Sequence, residues 1–135
     1  MNDQMQALAR RAVACKHWQW MDGMKPIDPN ISYMDYPRIG SLYEESSHCM
    51  NSNLCKQFDL VPDLEDDATL GCLLALVREA WEDKWLACKG EYSPTGSNWL
   101  VYSGKPHGRG FLTRVAGTRY ESEAEALIAA LEAAP

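Results

Sequence analysis

The sequence has no long apolar segment. No uninterrupted apolar run in its 135 residues approaches the roughly 18 residues that a membrane span needs. The first residues, MNDQMQALARRAVACKHW, contain no continuous apolar stretch either, so we expect no secretory leader. Internal repeats and low-complexity tracts are missing, which excludes solenoid and collagen-like architectures. We therefore expect a soluble cytoplasmic protein that forms a single domain over residues 1–135.

Positive charge is scarce and unevenly placed. Lysine and arginine total 13 against 19 aspartates and glutamates, which gives a net charge of −6. An acidic protein does not coat nucleic acid through its summed charge, so we expect no direct nucleic-acid binding. Residues 59–67 contain five acids, whereas residues 104–119 contain four lysines and arginines and no acid. Each of these two segments is therefore a candidate for charge-based recognition.

The chain also lacks the cysteine pattern of a disulfide framework or a zinc site. Its five cysteines are an odd number at irregular spacings, which favours reduced thiols. A zinc site usually shows closely spaced ligand pairs such as C-x₂-C, and no such pair is present. The side chains that a metal would have to use are Cys15, His17, His48, Cys49 and Cys55. We favour free thiols and ordinary histidines, and we expect no metal and no cofactor.

No sequence motif of a known catalytic centre is present. The chain has no G-x-S-x-G, no H-E-x-x-H and no Walker loop. Neighbouring residues such as His48 and Cys49 would point to opposite faces of a strand, so they do not form a nucleophile–base pair there. The sequence therefore predicts that the protein is not an enzyme.

Three segments have the periodicity of amphipathic helices, at about 3–17, 67–82 and 122–134. In the second segment, apolar residues recur at three- and four-residue steps: Leu70, Leu73, Leu74, Val77 and Trp81. Asp66 or Asp67 is predicted to cap this helix, and Gly71 is predicted to admit the close approach of another backbone. Ser122 and Glu125 form a capping-box pattern at the start of the last helix.

The segment between the second and third helices predicts strands. Trp85–Lys89, Trp99–Tyr102 and Phe111–Val115 are the candidates, and together they would form an antiparallel meander over about 85–116. We expect two or three helices to cover this small sheet, which gives an α+β fold of two layers. Trp81, Trp85 and Trp99 are expected to pack in the core.

Residues 25–58 read as an irregular insertion, because prolines, serines and asparagines interrupt every periodicity. Asp22-Gly23 predicts a tight turn just before it, Arg38–Tyr43 could be a strand, and 44–55 could hold a helical turn. Exposed tyrosines and acids can anchor a protein interface. The residues predicted to bind a partner are Tyr33, Tyr36, Tyr43, Asp63, Glu65 and Asp66.

The loop GKPHGRG at 104–110 has the composition of an anion cradle. Its glycines can present backbone N–H groups, and its bases add positive charge. The candidate anion-binding residues are Lys105, His107, Arg109 and Arg114. A hairpin tip with solvated charges accounts for the same residues, and we favour it because several surface bases on a hairpin are common.

Four stretches carry a family resemblance: ALARRAVACKHWQWMDGM at 7–24, DATLGCLLALVREAW at 67–81, NWLVY at 98–102 and SEAEALIAALEAA at 122–134. They resemble the phage "ABA sandwich" domain family, small α/β proteins of largely unassigned function. The resemblance implies an accessory protein of a phage or prophage, acting in the cytoplasm of a bacterial host. We expect it to bind a host protein without catalysis, with an anti-phage defence component as the target.

Two other functions stay open at this point. The basic hairpin at 104–119 could bind a small ligand, a nucleotide or a phosphate. Alternatively, exposed aromatic residues could hold the protein in a homodimer or in a structural assembly of a phage.

Overall fold

A computed structural model describes residues 2–31, 36–41, 49–94, 96–102 and 120–135. These residues form four helices and four strands: α1 (Asp3–Ala14), β1 (Pro26–Ile27), α2 (Ser52–Gln57), β2 (Val61–Pro62), α3 (Asp67–Ala80), β3 (Ala87–Ser93), β4 (Gly96–Tyr102) and α4 (Glu123–Ala133). The strands make two antiparallel two-stranded sheets, β1–β2 and β3–β4. The predicted α+β class is confirmed.

The chain divides into two compact units. Unit 1 comprises residues 1–14 and 18–72, and unit 2 comprises residues 15–17 and 73–135. Helix α3 begins in unit 1 and ends in unit 2. The single domain expected from the sequence stays a prediction.

Unit 1 contains α1, α2 and the short β1–β2 ladder. In this ladder Pro26 lies opposite Pro62, and Ile27 lies opposite Val61. Helix α1 contacts β2. The buried apolar side chains of unit 1 come from both helices and from the segments between them: Leu8, Ala9, Ala12, Met24, Ile39, Met50, Cys55, Leu60, Val61 and Leu64.

Two glycines form turns in unit 1, one just before the irregular segment 25–58 and one within it. Gly23 has a φ of 97°, and Met24 N–H donates to the Met21 carbonyl at 3.1 Å, so the tight turn predicted at Asp22-Gly23 is confirmed. Gly40 has a φ of 88°, and Ser41 N–H donates to the Arg38 carbonyl at 2.9 Å. The strand predicted over Arg38–Tyr43 is therefore wrong for its described part, because a left-handed glycine turns the chain there.

Unit 2 is built on the β3–β4 hairpin, whose register pairs Ala87 with Tyr102 and Ser93 with Gly96. Helix α4 packs on both strands. The buried residues of α4 form one apolar face: Ala124, Ala126, Leu127, Ile128, Ala130 and Leu131. The Ser122 side chain accepts a hydrogen bond from Glu125 N–H at 3.1 Å, which confirms the predicted cap.

The hairpin differs from the predicted strand in its boundaries. Strand β3 begins at Ala87 instead of Trp85 and continues through Gly90 to Ser93, beyond the predicted end at Lys89. A β-carbon on Gly90 would lie 3.2 Å from the ring of Trp99, the residue opposite it. Gly90 is therefore compatible with the strand because an aromatic neighbour covers it. The return strand predicted at 111–115 lies outside the described residues, although Trp99 and Tyr120 form an isolated antiparallel bridge.

Two helices end earlier than predicted, and one glycine has a different role. Helix α1 ends at Ala14 and α3 at Ala80, two to three residues before the predicted ends. A β-carbon on Gly71 would have no atom within 4 Å, so the close backbone approach predicted there is wrong.

No helix within the described part of the chain is long and apolar enough to cross a membrane.

Candidate functional site

The acidic run before α3 is tied into a network inside unit 1. Asp66 precedes the helix, and its Oδ2 accepts hydrogen bonds from the backbone N–H and the hydroxyl of Thr69, both at 2.9 Å. Arg38 reaches the same carboxylate with both terminal nitrogens, each at 2.6 Å from one oxygen. Arg38 Nη1 also donates to the Gly23 carbonyl at 3.0 Å. Asp66 is thus the predicted cap of α3, and it also fixes the turn that contains Gly40.

The ion pair shifts the protonation of both partners. The Arg38 guanidinium, through its hydrogen bonds, holds the pKa of Asp66 well below its usual range, and the hydrogen bonds from Thr69 act in the same direction. The hydrogen bond to Asp66 raises the pKa of Arg38 above its ordinary value. Both shifts favour the ionised forms of the pair.

Unit 1 places the remaining predicted partner-binding acids in different surroundings. Asp63 is half-buried, it lies 4.0 Å from the Lys25 ammonium, and it accepts a hydrogen bond from Glu65 N–H at 3.1 Å. The side chain of Glu65 is exposed. Among the three predicted acids, Glu65 is exposed and the other two are half-buried, so a partner role for all three stays a prediction.

The other predicted sites lie mostly outside the described residues. Tyr36 is half-buried in unit 1, whereas Tyr33 and Tyr43 are outside the described ranges. The predicted anion-binding residues Lys105, His107, Arg109 and Arg114 are all outside those ranges as well.

Two of the thiols, the buried Cys55 and the half-buried Cys88, have raised pKa values. Burial raises the pKa of Cys55 to about 12 and that of Cys88 to about 12. His17 Nε2 donates to the Ala134 carbonyl at 3.3 Å within unit 2. In the ranges that the structure describes, no group of three histidine, cysteine, aspartate or glutamate side chains could hold a metal ion. His48 lies outside these ranges.

In unit 2, the carboxyl-terminal end of α3 is a Schellman turn with unusual residues. Asp83 N–H donates to the Arg78 carbonyl at 2.9 Å, and Glu82 N–H donates to the Glu79 carbonyl at 3.1 Å. Glu82 takes the left-handed position with a φ of 50°, where glycine is usual. Asp83 follows at the position that commonly holds an apolar residue, and its side chain is buried. Its Oδ1 accepts a hydrogen bond from Trp85 N–H at 3.1 Å.

This turn presents Trp85 to solvent, with 66% of the residue exposed. Trp85 lines an open groove of about 530 Å³ together with Arg78, Glu79, Glu82, Asp83 and Lys84. Although five of these six residues are charged, the groove surface is largely apolar. Aliphatic stems and the indole ring account for this, because long charged side chains cover apolar surface with their methylene groups.

Hydrogen bonds inside unit 2 hold the groove in shape. Arg78 Nε donates to the Leu86 carbonyl at 2.7 Å, which ties the helix to the residue that precedes β3. Trp81, four residues before Trp85, donates its indole N–H to the Ala130 carbonyl on α4 at 2.8 Å. The Lys84 ammonium lies 5.3 Å from the centre of the Trp85 ring, a cation–π distance. The turn is fixed while the indole of Trp85 projects outward.

The core position predicted for Trp85 is wrong. The prediction places Trp85 at the start of a strand, but the chain leaves the helix at Ala80 and the strand begins only at Ala87, so Trp85 lies in the connecting turn. One sequence signal could have indicated this outcome: three consecutive charged residues, Glu82 to Lys84, separate the two tryptophans. Such a run favours a solvated turn over a buried segment.

Comparison with protein-family models, with curated proteins and with solved structures gives no match to this chain. The resemblance to the phage "ABA sandwich" family therefore stays a prediction. The candidate site rests on its own geometry.

Proposed function

We propose that the protein acts by binding another protein, and that the groove around Trp85 is its main contact surface. The observation that carries the proposal is the exposure of Trp85 on a turn held by internal hydrogen bonds. Large apolar side chains are usually buried, and tryptophan is among the residues that contribute most to binding at interfaces. A preformed site also loses little conformational freedom when a partner binds.

The local backbone supports the same choice. Within four residues the chain places a glutamate in a left-handed conformation, buries a carboxyl group and exposes a tryptophan. Each of these three features lowers the stability of the folded chain, and such unfavourable features cluster at functional sites. The proposed biological role keeps the expectation from the sequence: an accessory protein of a phage or prophage that binds a host protein of an anti-phage defence system. The resemblance and the acidic charge support this role.

The test compares three exposed or half-buried aromatics. Trp85→Ala should weaken binding to a captured and purified partner protein by about 2 kcal/mol or more, because it removes the anchor of the interface. Phe58→Ala is the matched control and should leave binding unchanged. Among the described residues, Phe58 is the other exposed large apolar side chain, at 48%, and it belongs to unit 1. Calorimetric titration of the purified partner and a melting curve would be measured for every variant.

The outcomes distinguish an interface at the Trp85 groove from an interface on the 25–58 segment. Full-strength binding by a folded Trp85→Ala variant would contradict the proposal. If Tyr36→Ala weakens binding instead while the melting temperature stays unchanged, the contacts belong to the 25–58 segment, as the tyrosine pattern predicts. A stable Tyr36→Ala variant that binds normally would remove Tyr36 from the interface.

A further inference from the structure

We infer that the Trp85 groove binds an arginine side chain of its partner, stacked on the indole and paired with Glu79 and Glu82. This inference rests on the proposed function and names the chemistry of the bound segment.

The groove suits a ligand with an apolar stem and a cationic head. Its surface is largely apolar, and the exposed carboxylates of Glu79 and Glu82 line it beside Trp85. Acidic residues outnumber basic ones, three to two, in this lining. A neutral apolar anchor would leave these carboxylates without a counterpart, and a nucleic-acid phosphate would be repelled by them.

Lys84 shows that a cation is accommodated at the ring. Its ammonium lies 5.3 Å from the centre of the Trp85 ring. The ring face is therefore already used as a cation acceptor, and the exposure of Trp85 leaves most of the residue open to a second group. A guanidinium fits better than an ammonium, because it is planar, weakly hydrated and able to pair with a carboxylate through two hydrogen bonds while it stacks.

Arg78, a basic residue of the groove lining, already makes a hydrogen bond within unit 2. Its Nε donates to the Leu86 carbonyl, so its head is directed to the backbone of unit 2. Lys84 is the cation with which an incoming arginine would compete at the indole, through the repulsion of like charges. Removal of the Lys84 charge should therefore strengthen arginine binding, whereas removal of the charges on Glu79 and Glu82 should weaken it.

The experiment uses the full chain labelled with 5-fluorotryptophan and followed by fluorine NMR. The Trp85→Phe variant loses one of the five tryptophan resonances and so assigns it. The probes are N-acetyl-arginine amide, its neutral isostere N-acetyl-citrulline amide, and N-acetyl-leucine amide. The arginine probe should shift the Trp85 resonance with saturation in the millimolar range, about tenfold more tightly than the citrulline probe.

Paired variants then test the charges. Glu79→Gln combined with Glu82→Gln should weaken the arginine probe severalfold, and Lys84→Met should strengthen it. Glu121→Gln changes an exposed acid that does not line the groove, so it is the control and should have no effect. The inference is overturned if the citrulline or leucine probe binds as tightly as arginine, or if the Trp85 resonance does not move at the highest soluble probe concentration.

The failure of this inference is distinguishable from the failure of the proposed function. If Trp85→Ala abolishes partner binding but the probes show no preference for arginine, the groove is an interface for a neutral side chain and only the inference falls. If Trp85→Ala binds the partner at full strength, the proposed function falls whatever the probes show.

Discussion

Helix α3 begins beside Asp66, whose carboxylate accepts four hydrogen bonds from Arg38 and Thr69, and it ends beside Glu79 and Glu82, whose side chains are exposed. Both ends carry acidic residues, but in different surroundings: Asp66 is paired with Arg38, whereas Glu79 and Glu82 are exposed. The second end instead places its acids next to an exposed indole. The density of acidic residues along the sequence therefore does not indicate which acids are available to a partner.

The largest expected effect concerns the first end. Asp66→Ala should lower the free energy of unfolding by about 2 kcal/mol, because the helix loses its cap and Arg38 loses its ion-pair partner. Asp67→Ala is the matched control, since Asp67 is an exposed acid in the first turn of the same helix. Its loss should stay below about 0.5 kcal/mol, the size of a helix-dipole effect at the surface. Urea titrations of both variants measure the difference, and equal losses would show that the Asp66 network contributes nothing specific.

The same network predicts how stability responds to acid. The pKa of Asp66 is depressed in the folded protein, so its contribution is fully present above the pKa of about 3.9 that an unfolded aspartate has. As the pH falls below that value, the unfolded chain takes up a proton that the folded protein does not, and stability is lost. Asp66→Asn removes this titration while keeping a capping side chain.

The measurement is the difference in free energy of unfolding between the wild type and Asp66→Asn, followed from pH 7 downward. This difference should be constant above about pH 5 and should shrink below about pH 4. A difference that stays constant into the acid range would show that the ion pair does not depress the pKa of Asp66.

Much of the fold could be predicted because local patterns decide it. The apolar period of α3 and α4, the capping pattern at Ser122 and the turn at Gly23 depend on neighbours within one or two turns. These features appear in the structure within three residues of their predicted positions. The same reason predicts the hairpin, although β3 begins two residues later and ends four residues later than predicted, and β4 begins at Gly96 instead of Trp99.

Neither the Asp66 network nor the turn that exposes Trp85 follows from an apolar period, because one depends on a distant partner and the other on where a helix stops. The bidentate partner of Asp66 is Arg38, which is 28 residues away in sequence, and no local pattern links them. Trp85 would have continued the apolar stripe of α3 if the helix had lasted one more turn. Glu82 in the left-handed position ends the helix without the glycine that normally signals such an end.

A smaller effect is expected between the two ends of α3. Gly71→Ala should raise the free energy of unfolding by about 0.5–1 kcal/mol, because alanine is a better helix former and its β-carbon would meet no atom within 4 Å. Gly90→Ala is the contrasting variant and should lower stability, since its β-carbon would lie 3.2 Å from the Trp99 ring. Urea titrations of the two variants should therefore move in opposite directions. A loss of stability in Gly71→Ala would show that another part of the chain does pack closely against Gly71.

The smallest expected effect concerns the left-handed residue that ends α3. Glu82→Gly should raise the free energy of unfolding by about 0.5 kcal/mol, because the relief of left-handed strain exceeds the added freedom of the unfolded chain. Helix α2 offers a matched comparison: it ends in the same hydrogen-bond pattern, with Asp59 at a φ of 54° and the apolar Leu60 buried after it. Asp59→Gly should gain less, since aspartate adopts this conformation more readily than glutamate.

Glu82→Ala separates strain from charge at this position. It keeps the β-carbon, and therefore the strain, but removes a negative charge from the negative end of the helix dipole. Its gain should be smaller than that of Glu82→Gly when urea midpoints are compared at equal pH. If Glu82→Ala gains as much as Glu82→Gly, the charge is the source of the instability. In that case the turn that presents Trp85 is held against electrostatic repulsion at the helix end, and raising the salt concentration should stabilise the wild type but not the alanine variant.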